Sequence, residues 1–447
     1  MCALLFFSAA GFLPAVDFGG NLDNATAFGK SDSPYLDQQD KLSAWFNTGT
    51  ENNLVFSIMG SYTFSLEYKD SVAAPSHLLD IDDLRLYGTY PVGKQEGSTL
   101  SFELGRYKLS EPTGYILNHK VDGISFSAGY PAAKVQASFG YTGLYFVPSS
   151  TIYLSRADIN AAQNEDVKLA TPRLIGTFQL DLPQVLARQT LSLAFLFQED
   201  FRGLAEIEEM PASAAILDEG ETTENDLRGG NVDTQYMLLN ISGPIIRGLY
   251  YNTFFSLGTG RELAYMDGAY SYNPILSFLT GLNINYYLEE FLYSRIHAGF
   301  VLASGDSDKA SFYEGNTEGK SGMFLPVSES TIAQIFNPRL GNIAAATVSY
   351  SLKPLSFASG DMMNNFQTIL SGALFFRTTE GPISEGGLAA AATGKYLGTE
   401  IDLSIKFRPF SDLGIASSTG LFFPSSAFAS TYDTVRFEEK IEFSFSF

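Results

Sequence analysis

Apolar and polar side chains alternate along the last fourteen residues of the chain. From 434 to 447, apolar residues occupy most odd positions and polar residues occupy the even ones. A period of two is typical of a β-strand with one apolar face and one wet face. The same pattern recurs at 54–68, 187–199, 274–287 and 396–409. A soluble sandwich does not sustain it over a whole chain. The pattern therefore predicts an all-β fold, a transmembrane antiparallel β-barrel.

The number of strands follows from the same pattern. Seventeen segments between 41 and 447 alternate in this way, and a weaker one at 15–22 makes eighteen; sixteen strands is the alternative. The connections alternate in length. Short turns are predicted near 48–53, 91–97, 131–132, 182–186, 243–246, 288–290, 353–363 and 410. Long loops are predicted near 70–80, 109–120, 143–171, 200–231, 259–273, 304–342, 379–395 and 424–433. Short periplasmic turns and long extracellular loops are typical of outer-membrane barrels, and an even strand count places both termini on the periplasmic side.

Composition agrees with strands that face lipid. Hydrophobic residues make up 45% of the 447 residues and charged residues 17%, with 37 Phe, 24 Tyr and 41 Gly. No run after residue 20 has the ~20 apolar residues that a membrane helix needs. A closed barrel is the other structure that satisfies every backbone polar group in lipid.

The N-terminal segment has a different character from the rest. Residues 3–15 form an apolar stretch that ends in small residues, which is typical of a signal-peptide core cleaved near Ala15. Its basic start is missing, so residues 1–15 are interpreted as a truncated signal peptide and 16–447 as a single barrel. A short buried N-terminal helix or strand is the alternative. The mature chain would then contain no cysteine, because Cys2 is the only one.

The net charge of −21 is concentrated in the predicted loops. Loop 200–231 alone carries nine acidic residues against Arg202 and Arg228. A basic face for nucleic acid is missing, so nucleic acid is excluded as a partner. These acidic loop residues predict a solvated extracellular rim and not a cation-selective channel.

Charged residues with inward parity are the candidate pore lining. A barrel of sixteen to eighteen strands leaves an aqueous channel, in which such charges select solutes. For any single residue, a cross-strand pair that only stabilises the wall is the competing interpretation. The predicted pore-lining residues are Arg85, Arg106, Arg173, Arg188, Arg295, Arg377, Glu400, Asp402, Lys406, Arg408, Arg436, Glu438 and Lys440.

Catalytic and metal-binding patterns are weak. Residues 315–321 (GNTEGKS) have three residues between the glycines where a phosphate-binding loop needs four. His77, His119 and His297 show no metal-ligand spacing. His297 has inward parity but no partner that the sequence assigns, so we expect no enzyme, no cofactor and no metal site.

One segment resembles a known family. Residues 396–426 contain LGTEID at 397–402 and FFP at 422–424, and this stretch resembles the C-terminal hallmark of the alginate-export family of outer-membrane porins. ASGD at 303–306 and, more weakly, Gly105-Arg106 followed by Asp122-Gly123 resemble other family motifs. The resemblance implies an eighteen-stranded monomeric barrel and a passive pore for an anionic polysaccharide or another small polar solute. The mixed charges of the predicted lumen favour a porin of different selectivity.

These observations predict a bacterial outer-membrane porin for passive diffusion or export of small polar or anionic solutes, saccharides among them. The expected partners are outer-membrane lipid, the small solute and the barrel-assembly machinery, which would engage the C-terminal strand ending at Phe447. A surface adhesin or ligand-binding barrel that acts through its acidic extracellular loops is the alternative function.

Overall fold

The computed structural model describes most of the chain. The described residues are 15–31, 33–50, 53–93, 97–164, 166–186, 188–203, 230–266, 269–309, 311–313, 316, 318–358, 362–389 and 391–447. The predicted signal peptide, apart from Ala15, lies outside them, as does 204–229 of the acidic loop.

Eighteen antiparallel strands form one closed barrel. Each strand pairs with its chain neighbours, and β1 pairs with β18 from Asn21–Ser446 to Lys30–Phe437, which closes the wall. The predicted barrel of eighteen strands is therefore confirmed. The strands are β1 (Ala15–Lys30), β2 (Pro34–Gly49), β3 (Leu54–Lys69), β4 (Val72–Pro91), β5 (Thr99–Ser110), β6 (Asn118–Tyr130), β7 (Ala133–Tyr141), β8 (Arg173–Leu186), β9 (Gln189–Asp200), β10 (Val232–Ile246), β11 (Leu249–Met266), β12 (Ala269–Leu288), β13 (Ser294–Ala303), β14 (Ile343–Leu352), β15 (Phe366–Arg377), β16 (Tyr396–Phe410), β17 (Leu413–Pro424) and β18 (Arg436–Ser446).

Helix is almost absent from the described part of the chain. The one α-helix is α1 (Arg156–Gln163), and two single 3₁₀ turns lie at Val147–Ser149 and Met363–Asn365. None of these helices is long and apolar enough to cross a membrane.

The two ends of the barrel differ. We call the end with the connections 142–172, 201–231, 304–342, 378–395 and 425–435 the long-loop end, and the end that holds both termini the short-turn end. Two predicted long loops, 70–80 and 259–273, are wrong. There β4 starts at Val72, and β11 and β12 continue to Met266 and from Ala269, because each segment pairs with its hairpin neighbour. Pro75 is tolerated since β5 pairs with β4 only from Leu84 onward.

The outer wall is apolar. Large side chains such as Leu193, Phe255, Phe300 and Leu370 point outward and are more than a third exposed. The alternate positions point inward, as strand geometry requires. Close strand packing is visible at Gly105, where φ is +120° and a Cβ atom would lie 2.0 Å from the carbonyl oxygen of Leu84. This explains the irregular parity that the sequence shows there.

Candidate functional site: a loop-constricted lumen

The inner wall has two parts of different chemistry at the long-loop end. On β10–β17 many inward side chains are apolar and buried; examples are Phe254, Leu279, Ile343, Phe375 and Phe422. We call this wall the filled arc, because loops cover it. On β18 and β1–β5 the inward side chains are mostly polar or charged, and we call this wall the open arc.

Loop 304–342 covers most of the filled arc. Phe324, Leu325 and Leu340 are at most 2% exposed, although no strand contains them. The ring of Phe336 stacks on Phe422 at a centroid distance of 4.6 Å and meets Phe375 edge-on at 4.9 Å. The loop therefore packs into the barrel as a small hydrophobic core.

A carboxylate on the wall holds the tip of this loop. The backbone N–H groups of Ile335 and Phe336 each donate to Glu400 at 2.7 Å, one to each carboxylate oxygen. Glu400 is fully buried. The side chain of Gln334 donates to Glu438 at 3.1 Å and so reaches β18, beside the open arc. A charged acceptor in a buried site makes strong hydrogen bonds, and these fix the distance between tip and wall.

Loop 142–172 is held by a buried ion-pair network. Asp158 in the first turn of α1 pairs with Arg173 on β8 at 2.9 Å and with Arg202 at 2.8 Å, and both arginines also pair with Asp200. All four side chains are at most 5% exposed. Burial opposes ionisation of Asp158, but the two guanidinium groups and the hydrogen bonds it accepts hold its pKa below the usual aspartate value. The network anchors α1 to the barrel wall.

The loops also contact one another. Arg339 of loop 304–342 donates to the carbonyl of Thr151 in loop 142–172 at 2.9 Å and pairs with Glu329 at 2.7 Å. Ser328 accepts from the N–H of Asn118 at the top of β6. The constriction is therefore one connected assembly and not a set of independent loops.

Two cavities lie beside the open arc, and the larger one extends to β16 and to the turn after β14. The one at the long-loop end is about 440 Å³ and is lined by Asp37, Glu67, Glu385 and Glu438 with Lys69 and Arg436. Burial raises the pKa of Glu385 in this entrance. The other cavity lies nearer the short-turn end, is about 760 Å³, and contains Lys41, Lys353, Lys406, Arg408 and Lys440 against Asp23 and Glu442. The charge along the arc therefore changes from acidic at the entrance to basic below it.

Eight of the thirteen predicted pore-lining residues lie in three settings. Lys406, Arg408 and Lys440 line the larger cavity, and Arg436 and Glu438 line the smaller one. Glu400 and Asp402 are buried at the filled arc. Arg85 pairs with Asp83 at 2.7 Å and with Glu103 at 2.9 Å on the open arc.

The remaining predicted arginines bind wall or loop. Arg173 is completely buried in the α1 network. Arg377 donates to carbonyl oxygens of Glu380 and Gly394 in loop 378–395. Arg295 donates to Asn285 near the short-turn end. Arg188 was expected on a strand, but it lies in the turn between β8 and β9 with φ of +73°, because the hairpin turn requires left-handed backbone there.

Arg106 lies where the pairing of β4 and β5 ends. Its guanidinium pairs with Asp122 at 2.9 Å, donates to the carbonyl of Ile81, and lies 4.0 Å from the ring centroid of Tyr145. It therefore joins two strands to loop 142–172 and is only 11% exposed.

Sequence reasoning missed a charged cluster on β4. Asp82 accepts from Lys120 at 2.5 Å and pairs with Lys41 at 2.8 Å. The pairing to β3 skips Asp82 through a bulge, which turns both Asp82 and Asp83 inward. The sequence did contain a sign of this bulge. Residues 82 and 83 are both acidic, and in a strictly alternating strand one of the two side chains would face lipid.

No protein-family model and no curated protein matches this chain. Among solved structures, OccK8 (OprE) of Pseudomonas aeruginosa is 11% identical over 98% of this chain and 99% of its own, with a TM-score of 0.57. OccK5 (OpdH) of the same organism is 11% identical over 96% and 98%, with a TM-score of 0.55. OccK7 (OpdD) is 9% identical over 97% and 99%, also with a TM-score of 0.55.

At sequence identities of 9% to 11%, these structural similarities concern the fold alone. They give no specific support to the alginate-export family, so that membership stays a prediction. The chain shares the closed eighteen-stranded fold of outer-membrane porins.

Proposed function

We propose that the chain is a bacterial outer-membrane channel that passes small polar solutes, with a preference for anions. The observation that carries this proposal is the basic cavity beneath the acidic entrance, beside a lumen that loops narrow from one side. Five cationic side chains against two carboxylates give this part of the path a positive potential, and low-dielectric walls strengthen it.

The loop constriction supports a channel for small molecules and not for polymers. Loops 142–172 and 304–342 pack against the inner wall and against each other, so the polar path is confined to the open arc. A path with one polar side and one fixed loop tip favours small polar solutes. Saccharides and small carboxylates are the candidate classes.

The test is single-channel recording of the purified full chain in planar bilayers. We expect stable conductance steps and, in a tenfold KCl gradient, a reversal potential that indicates anion preference. Absence of conductance from correctly folded barrels would contradict the channel itself. Conductance with cation preference would contradict only the selectivity, because it would mean that the acidic entrance dominates.

Solute flux gives a second measurement. OpdK of Pseudomonas aeruginosa, a structurally similar protein, has been crystallised with vanillate. Vanillate, a small carboxylate, and glucose, a neutral sugar, are therefore useful probes in liposome swelling. Faster entry of vanillate than of glucose is expected; equal entry would oppose an anion preference at the basic cavity.

A further inference from the structure

Three acidic side chains lie close together beneath the tip of loop 304–342, and we call them the acid row. Glu400 and Asp402 share the inward face of β16. Asp402 pairs with Gly420 on β17, and Gly420 pairs with Glu438 on β18. The acid row therefore crosses three adjacent strands, and neighbouring strands lie about 4.8 Å apart.

Gly420 leaves a gap in the middle of the acid row. A Cβ atom at this position would lie 2.9 Å from Oδ1 of Asp402 and 3.0 Å from the side chain of Ile335 at the loop tip. Asp402 is only 8% exposed, and its Oδ1 atom has no hydrogen-bond partner among the described residues. A buried carboxylate is costly unless it is paired or neutralised, so this position calls for a cation or a proton.

The other two acids hold the loop tip. Glu400 accepts the backbone N–H groups of Ile335 and Phe336, one on each oxygen. Glu438 accepts from the side chain of Gln334 at 3.1 Å and from the hydroxyl group of Tyr35 on β2 at 2.5 Å. Both acids therefore act as acceptors toward their neighbours, and only Asp402 is left without such a role.

The strands beside β16 bring no charge to Asp402. Its partner on β15 is Ser371, and its partner on β17 is Gly420. None of the ion pairs found among the described residues includes Asp402. In the same part of the chain, no group of three or more His, Cys, Asp or Glu side chains could hold a metal ion. A proton is therefore the simplest way to neutralise this carboxyl group.

The inward cations of β18 have other contacts. The guanidinium group of Arg436 lies over the ring of Phe422 at 5.5 Å from its centroid. The ammonium group of Lys440 pairs with Glu442 at 2.6 Å. The charged group of β18 that faces Asp402 across Gly420 is Glu438, which is also an acid. The surroundings therefore oppose a second negative charge in the gap.

Asp402 and Glu400 lie within hydrogen-bonding reach of each other. Two carboxyl groups at such a distance in a buried site do not both ionise, because like charges repel strongly where the dielectric constant is low. Glu400 already accepts N–H groups with both oxygens, so the shared proton lies on Asp402, whose O–H donates to Glu400. A protonated Asp402 needs no cation, in agreement with its surroundings.

We propose that the proton shared by Asp402 and Glu400 is a pH-sensitive switch for the constriction. When the proton leaves to water in the lumen, Asp402 becomes a second buried negative charge beside Glu400. It can be hydrated only if water enters the gap that Ile335 covers, so the loop tip moves away from Gly420 and the path widens. The inference rests on the channel of the proposed function and not on its anion preference.

The test is single-channel recording of the full chain between about pH 6 and about pH 9.5, where ordinary lysine and arginine side chains stay mostly charged. Wild type should show one conductance level at the acidic end and, toward alkaline pH, reversible transitions to a higher level. Asp402→Asn should stay at the lower level throughout, because its amide can donate to Glu400 but cannot ionise. Ser404→Ala, at the next inward position of β16, is the matched control and should keep the wild-type response.

Infrared difference spectroscopy gives a second readout, which reports the proton itself. Wild type near neutral pH should show a carboxylic-acid C=O band that disappears at alkaline pH and is absent from Asp402→Asn. Heat-modified electrophoretic mobility checks that each barrel is folded.

Three results would overturn the switch. They are the same conductance at every pH, a pH response that persists in Asp402→Asn, and a higher level that EDTA produces at neutral pH, which would mean that a bound cation and not a proton fills the gap. A folded barrel that conducts at no pH would instead contradict the proposed function, and the switch with it.

Discussion

The filled arc and the open arc are built from the same strand geometry but are stabilised in opposite ways. On the filled arc, apolar inward side chains such as Phe375 and Phe422 bury loop residues, and the buried carboxylate of Glu400 accepts backbone N–H groups of the loop. On the open arc, charges such as Lys440 and Glu442 remain more than a third exposed. The comparison teaches that one wall holds the loops that narrow the lumen, while the other exposes charge inside it. Variants of the two walls should therefore affect different measurements.

The largest effect is expected from Asp158→Ala, in the network that joins α1 to β8. The change leaves two buried arginines with Asp200 as their shared carboxylate, so one buried positive charge is uncompensated, which costs about 3–5 kcal/mol. We expect a lower thermal midpoint of the folded barrel and a larger, noisier conductance as α1 detaches.

The same carboxylate gives a pH prediction. The folded-state pKa of Asp158 is depressed, so its contribution is present above the ordinary aspartate pKa and is lost only as pH falls below about 4. Wild-type conductance noise should therefore stay constant from pH 7 to about 4 and then rise. A rise near pH 6 would show that another group holds the loop.

The next effect is expected from Glu400→Gln, at the contact between loop tip and wall. An amide oxygen cannot replace both carboxylate oxygens, so one buried N–H of Ile335 or Phe336 loses its acceptor, at a cost of about 1–3 kcal/mol. We expect frequent transitions between two conductance levels. Ser404→Ala, on the same inner face of β16, is the control, and its single-channel conductance should be like that of wild type.

In the larger cavity, Lys406→Gln with Arg408→Gln should change selectivity and not stability. Removing two of the five cations from the larger cavity lowers its positive potential, so the reversal potential in a salt gradient should move toward cation preference. Lys320→Gln, on the exposed part of loop 304–342, removes one cation outside this cavity and is the control. An equal shift in the control would mean that net charge, and not this cavity, sets the selectivity.

The smallest effect on stability is expected from Lys440→Gln. Its ion pair with Glu442 is 2.6 Å long, but both side chains are more than a third exposed, and such pairs contribute less than about 1 kcal/mol. The thermal midpoint should stay within error of wild type. A loss as large as that of Asp158→Ala would abolish the distinction between the two walls.

Much of the barrel could be predicted from the alternation of apolar and polar residues, but the ends of some strands could not. The pattern located the hairpins at the short-turn end and the strand β18. It failed at 70–80, where Pro75 and small residues conceal a strand that pairing with β3 maintains. It also underestimated β1, which runs from Ala15 to Lys30 between β18 and β2.

The site was predictable only in part. The parity of a position shows whether its side chain points into the lumen or outward, but it does not show which groups the side chain contacts. Lys406, Arg408 and Lys440 line a cavity as their parity suggests, whereas Arg173 has the same inward parity and is completely buried. The difference depends on loop 142–172. Its sequence has no periodic pattern from which the place where it packs could be predicted.

The sequence by itself determined the barrel, its strand number and the direction of each strand, because a period of two is a local property of the backbone. Only the tertiary structure decided which inward charges remain exposed to solvent. Loops 142–172 and 304–342 contact the inner wall through packing that is not local in sequence, and they bury some of these charges and not others. It also decided that acidic side chains of β16 and β18 lie together beneath the tip of loop 304–342. Closure of the barrel between β1 and β18 brings together side chains that lie at opposite ends of the chain.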